Sequence, residues 1–214
     1  MTSIHADALL FDMDGTLVDS TELVESIWRA FASRNGLDFA EVIEFAHGRP
    51  TSATVRRFSD DDAHFAIEMT RITDEEIAGS DAVREVPGAA DFIGSIGRDR
   101  LAVVTSASRQ IAVQRLVATG IAVPDVLITA DDVAQGKPSP EGYRAALRQL
   151  SAAASESVVF EDAEAGLLAG IASGARTVVV GDYASDSTAG LLRIPDFLNL
   201  EAQMLRRKVV ITWL

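Results

Sequence analysis

The sequence predicts an α/β fold: a parallel sheet core flanked by helices, with a small all-helical domain inserted after the first strand. Two observations carry this expectation. From about residue 100 onward, short β-branched runs alternate with helical stretches, the mark of parallel strands joined by right-handed crossovers. Before that, one apolar run near the N-terminus is cut off from its sheet partners by roughly 70 mostly helical residues, far more than an ordinary strand-to-helix connection.

The first strand is read at residues 8–12, an apolar run ending in a turn signal. From Ser20 the period changes to helical: Leu23, Ile27 and Phe31 recur with Val24 and Trp28 beside them, and Asn35-Gly36 supplies the stop. Further helices are expected at 39–46, 52–58, 63–72 and 75–83, with no strand among them. Pro87-Gly88 then punctuates the chain. Strands at 101–104, 126–129, 158–160 and 177–180 alternate with helices at 110–118, 141–150 and 164–173, giving a Rossmann-like core. A further helix is expected at 187–192, and 209–211 reads as an edge strand or part of a hairpin. The domains are therefore drawn as 1–19 plus 87–214 for the core and 20–86 for the helical insertion. Gly166, Gly170 and Gly174 fall on one helix face, which suits close packing on the sheet.

Composition narrows the function classes. The chain has 214 residues, 48% of them hydrophobic, enough for a sizeable core. Its net charge is −13 and its densest basic run is Arg206-Arg207-Lys208, so neither nucleic acid nor an anionic membrane is an expected partner. There is no cysteine, which excludes disulfides and thiol chemistry. The first residues lack a basic segment followed by an apolar one, and no apolar run of spanning length exists, so a cytoplasmic protein is expected. No His cluster suits zinc, and no His accompanies a Gly-x-Ser-x-Gly turn.

The chemistry concentrates at strand ends, where open parallel sheets bind ligands. The first apolar run stops in Asp12-Met13-Asp14-Gly15-Thr16. Carboxylates two apart at a strand end share a side, and they repel unless a cation or a shared proton intervenes. Thr105-Ser106 ends the strand at 101–104; a hydroxyl and a backbone N–H there could grip a phosphoryl oxygen or simply cap a helix. Gly136-Lys137-Pro138-Ser139-Pro140-Glu141 holds a lysine in a defined turn, and its ammonium is suited to neutralising a carboxylate and a phosphate together. Phe160-Glu161-Asp162 again runs an apolar strand into carboxylates, although Asp162 could equally cap the following helix.

These four segments, in this order, resemble the four motifs of the haloacid dehalogenase superfamily, whose commonest members are Mg²⁺-dependent phosphatases. The resemblance implies that Asp12 attacks phosphorus and Asp14 serves as general acid and base. Thr105 would supply the second motif's hydroxyl and Ser106 its N–H, unless a one-residue slip makes Ser106 the hydroxyl. Lys137 would steady the phosphoryl oxygens, and Mg²⁺ would lie on Asp12, the main-chain carbonyl of Asp14 and Asp162, with Glu161 acting through water. The insertion resembles the cap of one branch of the family. Its polar segment His47-Gly48-Arg49 looks like the substrate loop of sugar-phosphate phosphatases, against the plainer reading of a solvated loop between helices.

Within that family, Asp14 and Asp162 argue against a dehalogenase. Absence of a histidine at 19–24 and presence of Thr16 argue against a sugar-phosphate mutase such as β-phosphoglucomutase. Absence of lysine from 20–86 argues against a phosphonate hydrolase. The expectation is a Mg²⁺-dependent phosphatase of a small phosphate monoester, a sugar or polyol phosphate, working through an aspartyl-phosphate and acting as a monomer or weak homodimer. A mutase and a catalytically silent binding protein on the same fold are the alternatives.

Overall fold

The computed structural model of the chain describes residues 3–47 and 49–213. Two strands open the chain, β1 (Ser3–Ala6) and β2 (Leu9–Phe11), followed by the short β3 (Val18–Asp19). Four helices come next: α1 (Thr21–Asn35), α2 (Phe39–Ala46), α3 (Thr51–Phe58) and α4 (Asp62–Gly79). After β4 (Arg84–Glu85) and α5 (Ala89–Gly94) the alternation begins, with β5 (Leu101–Val104), α6 (Arg109–Ala118), β6 (Val126–Ile128), α7 (Glu141–Gln149), β7 (Val158–Glu161), α8 (Glu164–Ser173), β8 (Arg176–Val180) and β9 (Leu192–Ile194). A hairpin of β10 (Leu200–Leu205) and β11 (Lys208–Trp213) follows.

The main sheet is six-stranded and parallel throughout, in the order β6-β5-β2-β7-β8-β9. Its inner strands β2, β5 and β7 are buried on both faces, and so read as largely continuous apolar runs rather than alternating ones. Successive residues serve opposite faces. Leu9, Phe11, Val103 and Phe160 join Phe92, Leu116 and Phe197 on one side, while Leu10, Ala102, Val104 and Val159 meet Tyr143, Leu147 and Ala169 on the other. Phe11 and Phe160 stack with ring centroids 4.8 Å apart, which fixes the two strand ends that deliver acidic residues to the site.

The helical insertion has its own apolar cluster, built from Ile27, Trp28, Phe31, Val42, Val55 and Ile72. Gly36 closes α1 in the left-handed conformation (φ 65°), as the sequence signals, and the Asp61 side chain accepts the His64 N–H to cap α4. The insertion is tied to the core at a two-stranded ribbon of β3 and β4, which pair antiparallel.

Several expected elements differ. Helices expected at 63–72 and 75–83 are one helix, α4, which stops at Gly79, with Ser80–Ala82 a short 3-10 turn. Thr73-Asp74 costs only about 1 kcal/mol in propensity, and Ile72 and Glu76 on either side are both buried. The expected helix at 187–192 is a single turn at Asp186–Thr188 followed by β9. Gly190, at φ 85°, turns the chain out of helical geometry, and Leu192–Ile194 pairs with β8. The tail is a hairpin whose β11 lies between β1 and β10 rather than at an edge. Gly166 and Gly170 pack on the sheet as expected, but Gly174 (φ 90°) ends α8. Among the described residues no helix is long and apolar enough to cross a membrane.

Candidate active site

Three of the six sheet strands end at the same place. Asp12 follows β2, and its N–H bonds the Phe160 carbonyl at 3.0 Å, which holds it in line with the ladder. Thr105 follows β5, and its N–H bonds the Ile128 carbonyl at 2.9 Å. Glu161 and Asp162 stand at the end of β7. Lys137, from the segment between β6 and α7, reaches across and pairs with both Asp12 and Glu161, the latter at 2.6 Å. Asp12, Lys137 and Glu161 are all buried.

The carboxylates form a compact group. Asp12, Glu161 and Asp162 each offer an oxygen, and these oxygens lie within 4.8 Å of one another. The Tyr143 hydroxyl donates to Glu161 Oε1 at 2.7 Å, the Asp162 N–H to Glu161 Oε2 at 3.2 Å, and the Thr16 hydroxyl to Asp162 Oδ1 at 3.3 Å. Gly15 adopts φ 87°, and a Cβ there would run into the Asp162 carboxylate, so glycine serves both the turn and the close approach.

Asp14 is placed differently from the expectation that its carboxylate converges with that of Asp12. It lines the same cavity, but its Oδ1 accepts from the Ser20 hydroxyl at 2.7 Å and from Arg115 Nη1 at 2.7 Å. The chain leaves β2 before Asp14 and turns at once, with the Gly15 N–H bonded to the Val18 carbonyl at 2.8 Å, so strand alternation no longer governs the side chain.

A cavity of about 180 Å³ lies between the core and the insertion, bordered by Asp12, Asp14, Thr105, Ser106 and Asp162 from the core and by His47, Arg49, Glu25 and Trp28 from the insertion. Lys137 borders a small neighbouring pocket that also touches Thr105 and Ser106. The Thr105 hydroxyl accepts the Ala107 N–H at 3.0 Å. Arg49 faces the cavity but is anchored on α2, donating to the Phe45 carbonyl at 2.7 Å and stacking on the Phe45 ring 4.5 Å from its centroid. Gly48 lies outside the described residues.

Electrostatics follow from this crowding. Burial pushes the Asp12 carboxyl well above the usual carboxylate range; the Glu161 charge adds to the rise and Lys137 opposes it. Burial, reinforced by Glu161, raises Asp162 from the usual 3.8 to about 7. Burial alone would lower Lys137, but Asp12 and Glu161 outweigh it and hold the ammonium above the usual lysine range. Burial and Glu161 also raise the Tyr143 hydroxyl. Negative charge is thus in excess at the cluster. Three closely spaced carboxylates are hard oxygen donors, the set that a Mg²⁺-type cation takes, and the residues present fit such an ion.

Arg115, Glu76, Ser20 and Tyr143 join the site without being singled out by the sequence, and Glu161 lies with Asp12 and Asp162 in the carboxylate group. Arg115 carried a signal: Ile111, Ala112, Arg115 and Leu116 form the buried stripe of α6, so the arginine occupies a position where the period calls for an apolar residue.

The family profile described as haloacid dehalogenase-like hydrolase matches residues 9–180. Hexitol phosphatase A of Escherichia coli is 38% identical over 181 residues, covering 83% of this chain and 84% of that protein. The 2-deoxyglucose-6-phosphate phosphatase 1 of Saccharomyces cerevisiae is 36% identical over 205 residues, with 83% and 81% covered. Among solved structures, CbbY from Rhodobacter sphaeroides in complex with phosphate superposes with a TM-score of 0.76 at 28% identity, over 90% of this chain and 95% of that one.

Proposed function

The chain belongs to the haloacid dehalogenase-like hydrolase family, and from that premise we propose that it is a phosphoric monoester hydrolase acting on a small sugar or polyol phosphate. The observation that carries this reading is the meeting of Asp12, Glu161 and Asp162 at one cavity whose opposite wall comes from the insertion, with Lys137 paired to Asp12 and Glu161 from the adjoining pocket.

In this reading Asp12 and Asp162, with the Asp14 main-chain carbonyl, hold a Mg²⁺ ion, and Glu161 stands beside them. When bound, the ion supplies positive charge that offsets the carboxylates and the substrate phosphate. Asp12 attacks phosphorus as the bond to the leaving oxygen breaks, giving an aspartyl-phosphate. Asp14 gives its proton to the leaving oxygen, then takes one from the water that cleaves the phosphorus–oxygen bond to Asp12. Lys137, with the Thr105 hydroxyl and the Ser106 N–H, steadies the phosphoryl oxygens as charge redistributes.

The substrate class rests on the named activities of the relatives and on the far wall of the cavity. Glu25 and Glu76 face it together with Thr21 and Thr51. Such groups exchange hydrogen bonds with hydroxyls and repel a second anion. His47 and Arg49 are the proposed substrate contacts from the insertion.

A phosphate-release screen across hexose, pentose, polyol and nucleotide monophosphates, with and without Mg²⁺, tests the proposal. Mg²⁺-dependent release favouring sugar or polyol esters is expected. Isomerised product without free phosphate would point to a mutase instead, and a flat profile would count against a dedicated sugar pocket.

A further inference from the structure

Arg115 is the largest fully buried side chain among the described residues. It sits on α6 in the core, amid Ile111, Ala112 and Leu116. Its Nη1 donates to Asp14 Oδ1 at 2.7 Å, and its Nη2 lies 3.4 Å from Oε1 of Glu76, which projects from α4 of the insertion. Its Nε finds no partner among the described residues. A buried guanidinium with an unsatisfied N–H is a poor way to stabilise a helix face, and an apolar side chain of similar volume commonly does as well or better. The arrangement therefore calls for an explanation other than packing.

The groups on Asp14 supply one. Ser20 and Arg115 both bond Oδ1, so the carboxyl is gripped through one oxygen, leaving Oδ2 for a reacting group. We propose that Arg115, braced by Glu76, is a positioning residue for Asp14: it fixes the carboxyl so that Oδ2 meets the leaving-group oxygen. The inference rests on the phosphatase reading above, in which Asp14 protonates that oxygen. Because the brace comes from the insertion and the arginine from the core, the acid is fully placed only with the two parts docked against each other.

The test exploits leaving-group chemistry. An alkyl phosphate needs its departing oxygen protonated, whereas p-nitrophenyl phosphate expels a stable phenolate and needs little help. The quantity to compare is kcat/KM, which reports steps up to phosphoryl transfer. Since general acid catalysis contributes about 10²–10⁴-fold, Arg115→Met should lower kcat/KM for a hexitol phosphate about 10- to 100-fold while changing the aryl ester less than about 3-fold. Arg115→Lys, which keeps the charge but not the fork, should recover part of the alkyl rate. Asp14→Asn should show the same selectivity more strongly, and adding Arg115→Met to it should cause no further selective loss.

Equal losses on both esters, no loss on either, or full additivity with Asp14→Asn would overturn the proposal. If Arg115→Met does not fold by circular dichroism, Arg115→Lys carries the comparison alone, and equal losses on the two esters would again overturn it. Wild-type turnover is read first. A wild type inactive on both esters refutes the phosphatase reading and this inference with it, while an active wild type with unselective losses refutes this inference only.

Discussion

Lys137 and Glu161 form a buried ion pair of 2.6 Å, and the same ammonium also pairs with Asp12. One cation thus joins two carboxylates at the ends of neighbouring parallel strands, β2 and β7. Without it Asp12 and Glu161 would face each other as uncompensated buried charges.

Lys137→Met should therefore act on stability and on turnover together. Removing one partner of a buried pair costs about 3–5 kcal/mol, readable by urea unfolding. Loss of a preorganised positive group should lower kcat about 10²–10³-fold. A variant as stable as the wild type would show that the pair does not hold the site together.

The pH dependence has a defined sign. Asp162 and Glu76 stand near 7 in the fold instead of their usual 3.8 and 4.5, both chiefly through burial. Between these limits the folded protein holds protons that the unfolded chain has released, so stability falls as pH rises from about 4 to about 7. Glu68 and Asp132 are lowered, and their opposite contributions lie below this window. In the absence of divalent ions the melting temperature should be higher near pH 5.5 than near pH 7.5. Added Mg²⁺ should narrow that gap by binding the ionised carboxylates. A gap insensitive to Mg²⁺ would contradict the proposed ion site.

Gly166 offers a steric test at the same carboxylates. A Cβ there would collide with the Glu161 carboxyl, while one at Gly94 of α5 meets nothing within 4 Å. Glycine-to-alanine in a helix ordinarily stabilises by up to about 1 kcal/mol. Gly94→Ala should be neutral or stabilising, whereas Gly166→Ala should destabilise by about 1–3 kcal/mol through overpacking and displace Glu161 from Lys137 and Tyr143. Thermal melts of the two variants check this, and equal behaviour would argue against the close approach.

Much of this architecture is legible in the sequence because its signals are local. The β-branched runs of β5, β7 and β8 are buried on both faces, so they stand out without knowledge of their neighbours. Asp12, Lys137 and Asp162 each sit beside a glycine, a proline or a strand end that fixes the backbone. Arg115 and Glu76 are harder to see. A charged residue within a helix ordinarily faces solvent, and only the packing of α6 against α4 makes these two a buried pair. The four-residue β1 becomes a strand through its pairing with β11, roughly 200 positions downstream, which no local pattern announces. The sequence marks Arg49 as a ligand contact but not its tether to the Phe45 carbonyl, which depends on the turn after α2.

That tether shapes the prediction for Arg49. Held by α2 at the edge of the cavity, it should contribute to binding rather than to bond breaking. Arg49→Ala should raise KM for the preferred sugar phosphate about tenfold, the worth of one charged hydrogen bond, and leave kcat nearly unchanged. A matching fall in kcat would place Arg49 in the chemical step instead.

The central claim is that Asp12 carries the phosphoryl group during turnover. The most direct measurement is acid quench of the enzyme after milliseconds with saturating substrate and Mg²⁺, followed by mass spectrometry of the peptide containing Asp12. A gain of one phosphoryl group on Asp12, absent from Asp12→Asn, is the predicted result. Steady phosphate release with no acyl phosphate on that peptide, or release persisting in Asp12→Asn, would contradict it.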